Sequence, residues 1–272
     1  NRSARPPRTG GAGVVAFSPD GCRLAIGEAY GRIHLLNWRT GAMMTITNST
    51  KAGEGVKVLA FSPTAEGLAA GFGNSSATVC LWDASSGGLR WRLTNHFGLC
   101  SALAFTPDGE LLASAGSDRT IRVWKVAEQA EVRCWRGHDG EGRVLAFLPD
   151  GKTLVSGCNV ATACFWDLTA ANRPSGHMSL EISYGIGAKA EVQPQGFARG
   201  LLDPKVVQRF GFTFTPDGRS FITTDHDGVL GVWDTRSVQL MESLPALGSN
   251  HWGVALSPNG HWLATGDAAG KV

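Results

Sequence analysis

The residue types of a hydrolytic triad lie close together in this sequence, at His96, Ser114 and Asp118. In such a triad the histidine removes the serine proton and the carboxylate orients the imidazole. Neither a G-x-S-x-G nor an H-E-x-x-H motif accompanies them. The same residue types recur at matching places in an internal repeat. This recurrence favours a structural role, so the sequence predicts no catalytic residue and no enzyme.

Two other segments resemble ligand-binding loops. The segment GIGAKA at residues 185–190 resembles a dinucleotide loop, but the EVQPQG that follows cannot begin the helix that such a loop needs. The segment DHDG at residues 225–228 resembles a calcium loop, yet the twelfth position holds Arg236 where a glutamate is required. Both segments are therefore interpreted as strand connections, and the sequence predicts no cofactor and no metal.

Six cysteines lie mostly inside apolar runs, without a C-x-x-C pair or a tight cluster with histidine; they are Cys22, Cys80, Cys100, Cys134, Cys158 and Cys164. This pattern favours reduced, buried thiols over a metal site. A reducing compartment fits such thiols best, and we expect a cytoplasmic protein.

The composition excludes several classes of protein. The 272 residues include 36 Gly and 9 Trp, only 18% are charged, and the net charge is +2. A disordered chain would be less hydrophobic and more highly charged, and no apolar run is long enough to cross a membrane. The basic residues Arg2, Arg5 and Arg8 form a short Pro/Arg tail or linker over residues 1–12, but the small net charge provides little attraction for phosphates. Neither nucleic acid nor membrane is expected as a partner.

One short phrase occurs six times, in forms such as VAFSPDG, LAFTPDG and LAFLPDG. Its third residue is the anchor of the repeat; the anchors are Phe17, Phe61, Phe105, Phe147, Phe214 and Leu256. The five complete repeats then reach a second large residue at a nearly constant distance: Leu36, Trp82, Trp124, Trp166 and Trp233. Short β-branched and aromatic runs between turn residues predict four antiparallel strands per repeat. Both faces of the first strand are apolar, as a strand covered on both sides requires.

These features predict an all-β propeller with five complete four-stranded blades and a truncated sixth. The blades begin near residues 13, 57, 101, 143, 210 and 252, and an insertion falls within residues 168–208. The chain is expected to be a piece of a longer protein, with seven blades in the whole.

The repeat resembles the WD-repeat β-propeller family, in particular bacterial-type repeat arrays, through its Trp-Asp pairs and its Gly-His element. The resemblance implies a hydrogen-bonded network of His, Ser or Thr, Asp and Trp inside each blade. The third blade carries all four residues, as His96, Ser114, Asp118 and Trp124. Partial networks are implied in the fourth and fifth blades, by His138, Ser156 and Trp166 and by Thr223, Asp227 and Trp233.

Side chains that change from blade to blade are predicted to form a partner-binding face. In a propeller, the loops before the first strands and those between the second and third strands lie on one face around the channel. The candidates on this loop-rich face are Tyr30, Lys57, Phe72, Phe97, Ser117, Arg143, Asn159, Phe210, His226 and Trp252. Non-repeating aromatic and charged groups are what a specific docking surface needs.

The expected function is a non-catalytic scaffold that binds a protein or peptide on this face. The first alternative is a regulatory module that follows a serine/threonine kinase or signalling ATPase domain. The second is a propeller enzyme with a site at the channel mouth, for which a convergent set of acids and histidines is missing.

Overall fold

The computed structural model describes residues 12–47, 54–73, 77–136, 138, 140–158, 162–169, 180–181, 212–215, 217–224, 229–235, 239–244, 251–257 and 260–267. Within these ranges every regular element is a β-strand. The strands in chain order are β1 Ala12–Phe17, β2 Arg23–Glu28, β3 Arg32–Asn37, β4 Met43–Thr47, β5 Gly55–Phe61, β6 Gly67–Gly73, β7 Ala77–Asp83, β8 Leu89–His96, β9 Cys100–Phe105, β10 Leu111–Gly116, β11 Thr120–Lys125, β12 Ala130–Arg136, β13 Gly142–Phe147, β14 Thr153–Cys158, β15 Thr162–Asp167, β16 Leu180–Glu181, β17 Phe212–Phe214, β18 Ser220–Thr224, β19 Leu230–Asp234, β20 Leu240–Leu244, β21 His251–Leu256 and β22 Leu263–Asp267.

The strands form five four-stranded antiparallel sheets and a two-stranded sheet of β21 and β22. The first strands of successive sheets lie side by side: β1 contacts β5, β5 contacts β9, β9 contacts β13, β13 contacts β17 and β17 contacts β21. Sheets that share an axis through their first strands are propeller blades. The predicted all-β propeller fold is confirmed.

The anchors and the tryptophan column lie in one row across each blade. Phe105, the last residue of β9, pairs with Leu112 of β10, and Leu112 pairs with Trp124 of β11. Equivalent rows run through Trp82, Trp166 and Trp233. Each of these tryptophans is buried. The large residues that recur in the repeat therefore form the core of the blades.

Neighbouring blades approach closely because a small residue faces a larger one at the same place in each interface. A Cβ atom on Gly27 would lie 2.6 Å from Val56, and one on Gly71 would lie 2.7 Å from Cys100. Between the third and fourth blades the order is reversed: Ala115 takes the glycine position and Gly142 the facing one. The blade interfaces are therefore complementary in size.

The turns between first and second strands use one repeated device. In the third blade the Thr106 hydroxyl and the Glu110 backbone N–H both donate to the Asp108 carboxylate. Matching bonds hold Asp20 and Asp217. The Ser or Thr hydroxyl, followed by the backbone N–H, keeps the pKa of each of these carboxyls below its ordinary value. The Pro-Asp-Gly phrase is thus a carboxylate-stabilised turn.

We expect the protein to lose stability in acid for this reason. A carboxyl group whose pKa is lowered by folding stabilises the native state above its unfolded pKa, near 3.8, and loses that contribution as the pH falls through the folded value. The urea midpoint should be constant from pH 7 to about pH 5 and fall below about pH 4. Asp108→Asn should flatten this fall. A midpoint unchanged between pH 6 and pH 3 would contradict the interpretation.

Two predicted segments lie mainly outside the described residues. They are the tail, of which only Ala12 is described, and the insertion within residues 168–208. Of the insertion, the structure describes residues 168–169 and strand β16, which pairs with β15 as the outer strand of the fourth blade. No helix in the described part of the chain is long and apolar enough to cross a membrane.

Candidate functional site

The third blade holds a continuous buried hydrogen-bonded network. The Trp124 indole Nε1 donates to Ser114 Oγ at 2.9 Å, and Ser114 Oγ lies 2.8 Å from His96 Nε2. On the other side of the imidazole, Nδ1 lies 3.0 Å from Asp118 Oδ2. Ser114 is 0% exposed and His96 is 2% exposed. The four residues join β8, the outer strand of the second blade, to the second and third strands of the third blade and to the turn between β10 and β11.

The proton positions in this network follow from its partners. Asp118 accepts at His96 Nδ1, so we assign the tautomer with the proton on Nδ1, in which Nε2 accepts from the Ser114 hydroxyl. Ser114 in turn accepts from Trp124, so every group is satisfied. The serine oxygen is enclosed, and no substrate can reach it. The arrangement of the three triad residue types is structural.

Asp118 closes the network at the loop-rich face. Its carboxylate also accepts from the Thr120 hydroxyl at 2.8 Å, the Thr120 backbone N–H at 3.1 Å and the Phe97 backbone N–H at 3.2 Å. Partial burial opposes ionisation of Asp118, but the hydrogen bonds from His96 and Thr120 outweigh it. The pKa of Asp118 is therefore well below its ordinary value. The negative charge is permanent at neutral pH and fixes the loop that carries Phe97.

The fourth and fifth blades contain parts of the same arrangement. His138 Nε2 lies 2.6 Å from Ser156 Oγ, which accepts from Trp166 Nε1 at 2.7 Å. Cys164 Sγ approaches His138 Nδ1 at 3.7 Å, on the side where Asp118 lies in the third blade. In the fifth blade Trp233 Nε1 donates to Thr223 Oγ1 at 2.9 Å, and Asp227 lies outside the described residues.

The prediction that Phe72 belongs to the partner-binding face is wrong, because its side chain is 0% exposed. Its ring meets Trp82 edge-on at 5.9 Å and 71°, and His138 meets Trp166 in nearly the same way, at 6.2 Å and 63°. In the third blade the Phe72 position is Gly116, whose Cβ would lie 3.2 Å from His96 Nδ1. Phe72 therefore fills, in a blade without the histidine, the space that the imidazole occupies elsewhere.

The loop-rich face is defined by the starts of the first strands and the connections between second and third strands, which the antiparallel registers bring to one end of each blade. Two of the predicted aromatic residues project from it: Phe97 is 79% exposed and Tyr30 is 53% exposed. Lys57 and Arg143 are also exposed, and Arg143 forms an ion pair with Glu141 at 2.6 Å.

The other predicted residues of this face differ in what the structure shows. Ser117 is partly buried, and its hydroxyl accepts the Leu99 backbone N–H at 2.8 Å, which supports the Phe97 loop. Trp252 lies in strand β21. Asn159, Phe210 and His226 lie outside the described residues.

Two residues of the site were missed by the sequence reasoning. Thr120 bonds both Asp118 and His96, and a threonine also stands four positions before the tryptophan at Thr78 and Thr162, a recurrence that could have revealed it. Arg119 has φ +60° in the turn beside Asp118, where the first blade has Gly31 at φ +80°. Its residue type gave no signal of this conformation.

The opposite end of the blades, where first and second strands are joined, is the turn face. Near it an open cleft of about 610 Å³ separates the second and third blades; its lining includes Leu81, Trp91, Glu110, Lys125 and Val126. No histidine or cysteine lines this cleft. In the described part of the chain, no group of three or more His, Cys, Asp or Glu side chains is arranged to hold a metal ion.

The cysteines in the described ranges are free thiols, four of them buried: Cys80, Cys100, Cys158 and Cys164. Burial raises the pKa of Cys80 to about 11 and that of Cys100 to about 12. These thiols are protonated at neutral pH and act as small apolar side chains.

Comparison with known proteins agrees with this architecture. The family described as "WD domain, G-beta repeat" matches residues 87–125, which run from the outer strand of the second blade through the network of the third. Residues 87–125 are therefore similar to a WD repeat. All four residues of the network lie inside this match: His96, Ser114, Asp118 and Trp124.

Several curated proteins are similar to the chain. A WD repeat-containing protein SL1-17 of Schistosoma mansoni is 33% identical over 42% of this chain and 36% of its own length. A nuclear distribution protein PAC1 of Arthroderma otae is 26% identical over 92% of the chain and 55% of its own length. A transducin-like enhancer protein 2 of Mus musculus is 25% identical over 74% of the chain and 28% of its own length.

The chain thus spans about half or less of the length of these relatives. All three come from eukaryotes, so they give no support to the expected likeness to bacterial arrays.

Proposed function

We propose that the chain is a non-catalytic scaffold that binds a protein or peptide partner on its loop-rich face. The observation that carries this proposal is Phe97, an aromatic side chain 79% exposed on a loop whose backbone N–H groups donate to Asp118 and Ser117. An exposed aromatic group is costly in water unless a partner covers it, and a rigid one loses little entropy on binding. A cytoplasmic location fits the buried, protonated thiols.

The network favours a structural role for these residues over a catalytic one. Its serine, histidine and tryptophan are buried and bonded to one another, and the Asp118 side chain is 9% exposed. Function therefore depends on the side chains that flank the network, namely Phe97 and Arg119.

The test is affinity capture with the purified chain as bait, followed by quantitative mass spectrometry. Phe97→Ala and Arg143→Ala should each reduce recovery of the specific partner by about tenfold if they are central contacts. Lys152→Ala and Arg219→Ala, exposed on the turn face, are matched controls and should leave recovery unchanged. Equal losses from both pairs, or losses from the control pair alone, would contradict docking on the loop-rich face.

A further inference from the structure

In its described part, the loop-rich face exposes charges of one sign. All of the described, exposed charged residues there are cations: Arg32, Lys57, Arg119, Arg136 and Arg143. The described acids of the same face are buried or partly buried. Glu28 contacts His34, Asp118 contacts His96 and Glu141 contacts Arg143, while Glu54 is 6% exposed.

The turn face has the opposite sign. Its exposed acids are Asp20, Glu66, Asp108, Glu110, Glu128, Asp150, Asp167 and Asp217, and its exposed cations are Arg39, Arg90, Lys152 and Arg219. The Ser and Thr hydroxyls that lower the pKa of Asp20, Asp108 and Asp217 keep these carboxylates charged. The molecule is therefore polarised along the axis of the blades, and its field draws an anionic group towards the loop-rich face.

The cations surround the exposed aromatic ring in the third blade. Asp118 accepts the Phe97 backbone N–H, and Arg119 follows Asp118 directly in the chain. Arg136 lies beside them, since its neighbour in the ladder is Thr120. Arg143 begins the neighbouring blade, where Ser101 bonds the Gly142 carbonyl. Phe97 and the three arginines thus lie on neighbouring loops and strand ends of the same face.

The backbone at Arg119 lies in the left-handed region at φ +60°, which glycine adopts freely and other residues adopt at a cost. The first blade places Gly31 at the equivalent turn position. The third blade therefore has a cation at a turn position where glycine would be less strained.

We infer that the loop-rich face binds an acidic peptide that contains an aromatic or aliphatic side chain. The apolar side chain packs on Phe97, and the carboxylates of the peptide lie against Arg119, Arg136 and Arg143. This inference rests on the proposed function and specifies the chemistry of the partner.

A peptide fits these observations better than a nucleic acid does. A phosphate backbone needs a continuous row of cations, whereas here Glu141 is paired with Arg143 inside the patch and the turn face is acidic. The net charge of +2 adds little general attraction. A peptide can place two or three carboxylates around one apolar side chain.

The test is selection of binders from a random 12-residue peptide display library on the full chain. The selected peptides are then synthesised, and their affinities are measured by fluorescence anisotropy. We expect the enriched sequences to be rich in Asp and Glu around an aromatic or aliphatic residue. Arg119→Ser combined with Arg143→Ser should weaken binding by about tenfold, and Phe97→Ala by a similar factor. Lys152→Ser combined with Arg219→Ser should have no effect.

The outcomes separate this inference from the proposed function. Neutral or basic peptides that still lose binding with Phe97→Ala would overturn the acidic partner and leave the loop-rich face as the docking site. Peptides that lose binding only with the turn-face variants would overturn both. A single-stranded 20-nucleotide RNA that binds more tightly than the peptides, through the same arginines, would overturn the peptide in favour of a nucleic acid.

Discussion

Asp118→Ala is expected to lower the free energy of unfolding by about 2–4 kcal/mol. The Asp118 carboxylate accepts from His96 Nδ1, from the Thr120 hydroxyl and from the backbone N–H groups of Thr120 and Phe97. Alanine provides no acceptor, and a buried donor left unsatisfied costs about 1–3 kcal/mol. Urea denaturation followed by tryptophan fluorescence measures the loss.

Val160→Ala is the comparison, because Val160 takes the place of the aspartate in the fourth repeat. It should cost less than about 1 kcal/mol, because no carboxylate network is removed. Asp118→Asn, which keeps one acceptor oxygen, should lie between the two. Equal midpoint shifts for Asp118→Ala and Val160→Ala would show that the network does not stabilise the fold.

Gly142→Ala is expected to destabilise the protein by about 1–3 kcal/mol through overpacking. The new Cβ atom would lie 2.7 Å from the Cβ atom of Ala115 in the neighbouring blade. Ala115→Gly in the same chain restores the glycine that the first two interfaces have at this place, as Gly27 and Gly71. The double variant should therefore be more stable than Gly142→Ala alone. Thermal unfolding of the two single variants and the double variant measures the interaction energy between the two substitutions.

Gly13→Ala is the matched control for this pair. It lies in β1, and a Cβ there would meet nothing closer than the Gly27 carbonyl oxygen at 4.0 Å. Its substitution should leave stability within about 0.5 kcal/mol. Additive effects of Ala115→Gly and Gly142→Ala would contradict size complementarity between blades.

The repeat made the architecture predictable because strand ends, turns and core column all depend on residue type at fixed spacing. Each first strand ends at its anchor, from Phe17 to Leu256. The prediction for Phe72 was wrong because a residue that varies between blades was interpreted as exposed. Phe72 varies because it packs against Trp82 in the place of a histidine. Variation at a position therefore does not distinguish a surface from a compensated core.

Arg119 is a feature that the sequence could not predict. Its residue type suggests an ordinary surface cation, and only the backbone shows that the turn would accommodate glycine more easily. The charge polarity between faces was equally hidden, because it depends on which acids are enclosed by their partners. Asp118 contributes to the sequence charge, but its side chain is only 9% exposed, so a partner meets little of it.

The central claim is that a partner docks on the loop-rich face against Phe97. The most direct measurement is photo-crosslinking with benzoylphenylalanine introduced once in place of Phe97 and once in place of Trp38, which is 56% exposed in the turn between β3 and β4. Both proteins are irradiated with the selected peptide, and adducts are identified by mass spectrometry. Crosslinks from position 97 and none from position 38 are predicted. Adducts from position 38 with none from position 97 would contradict the account.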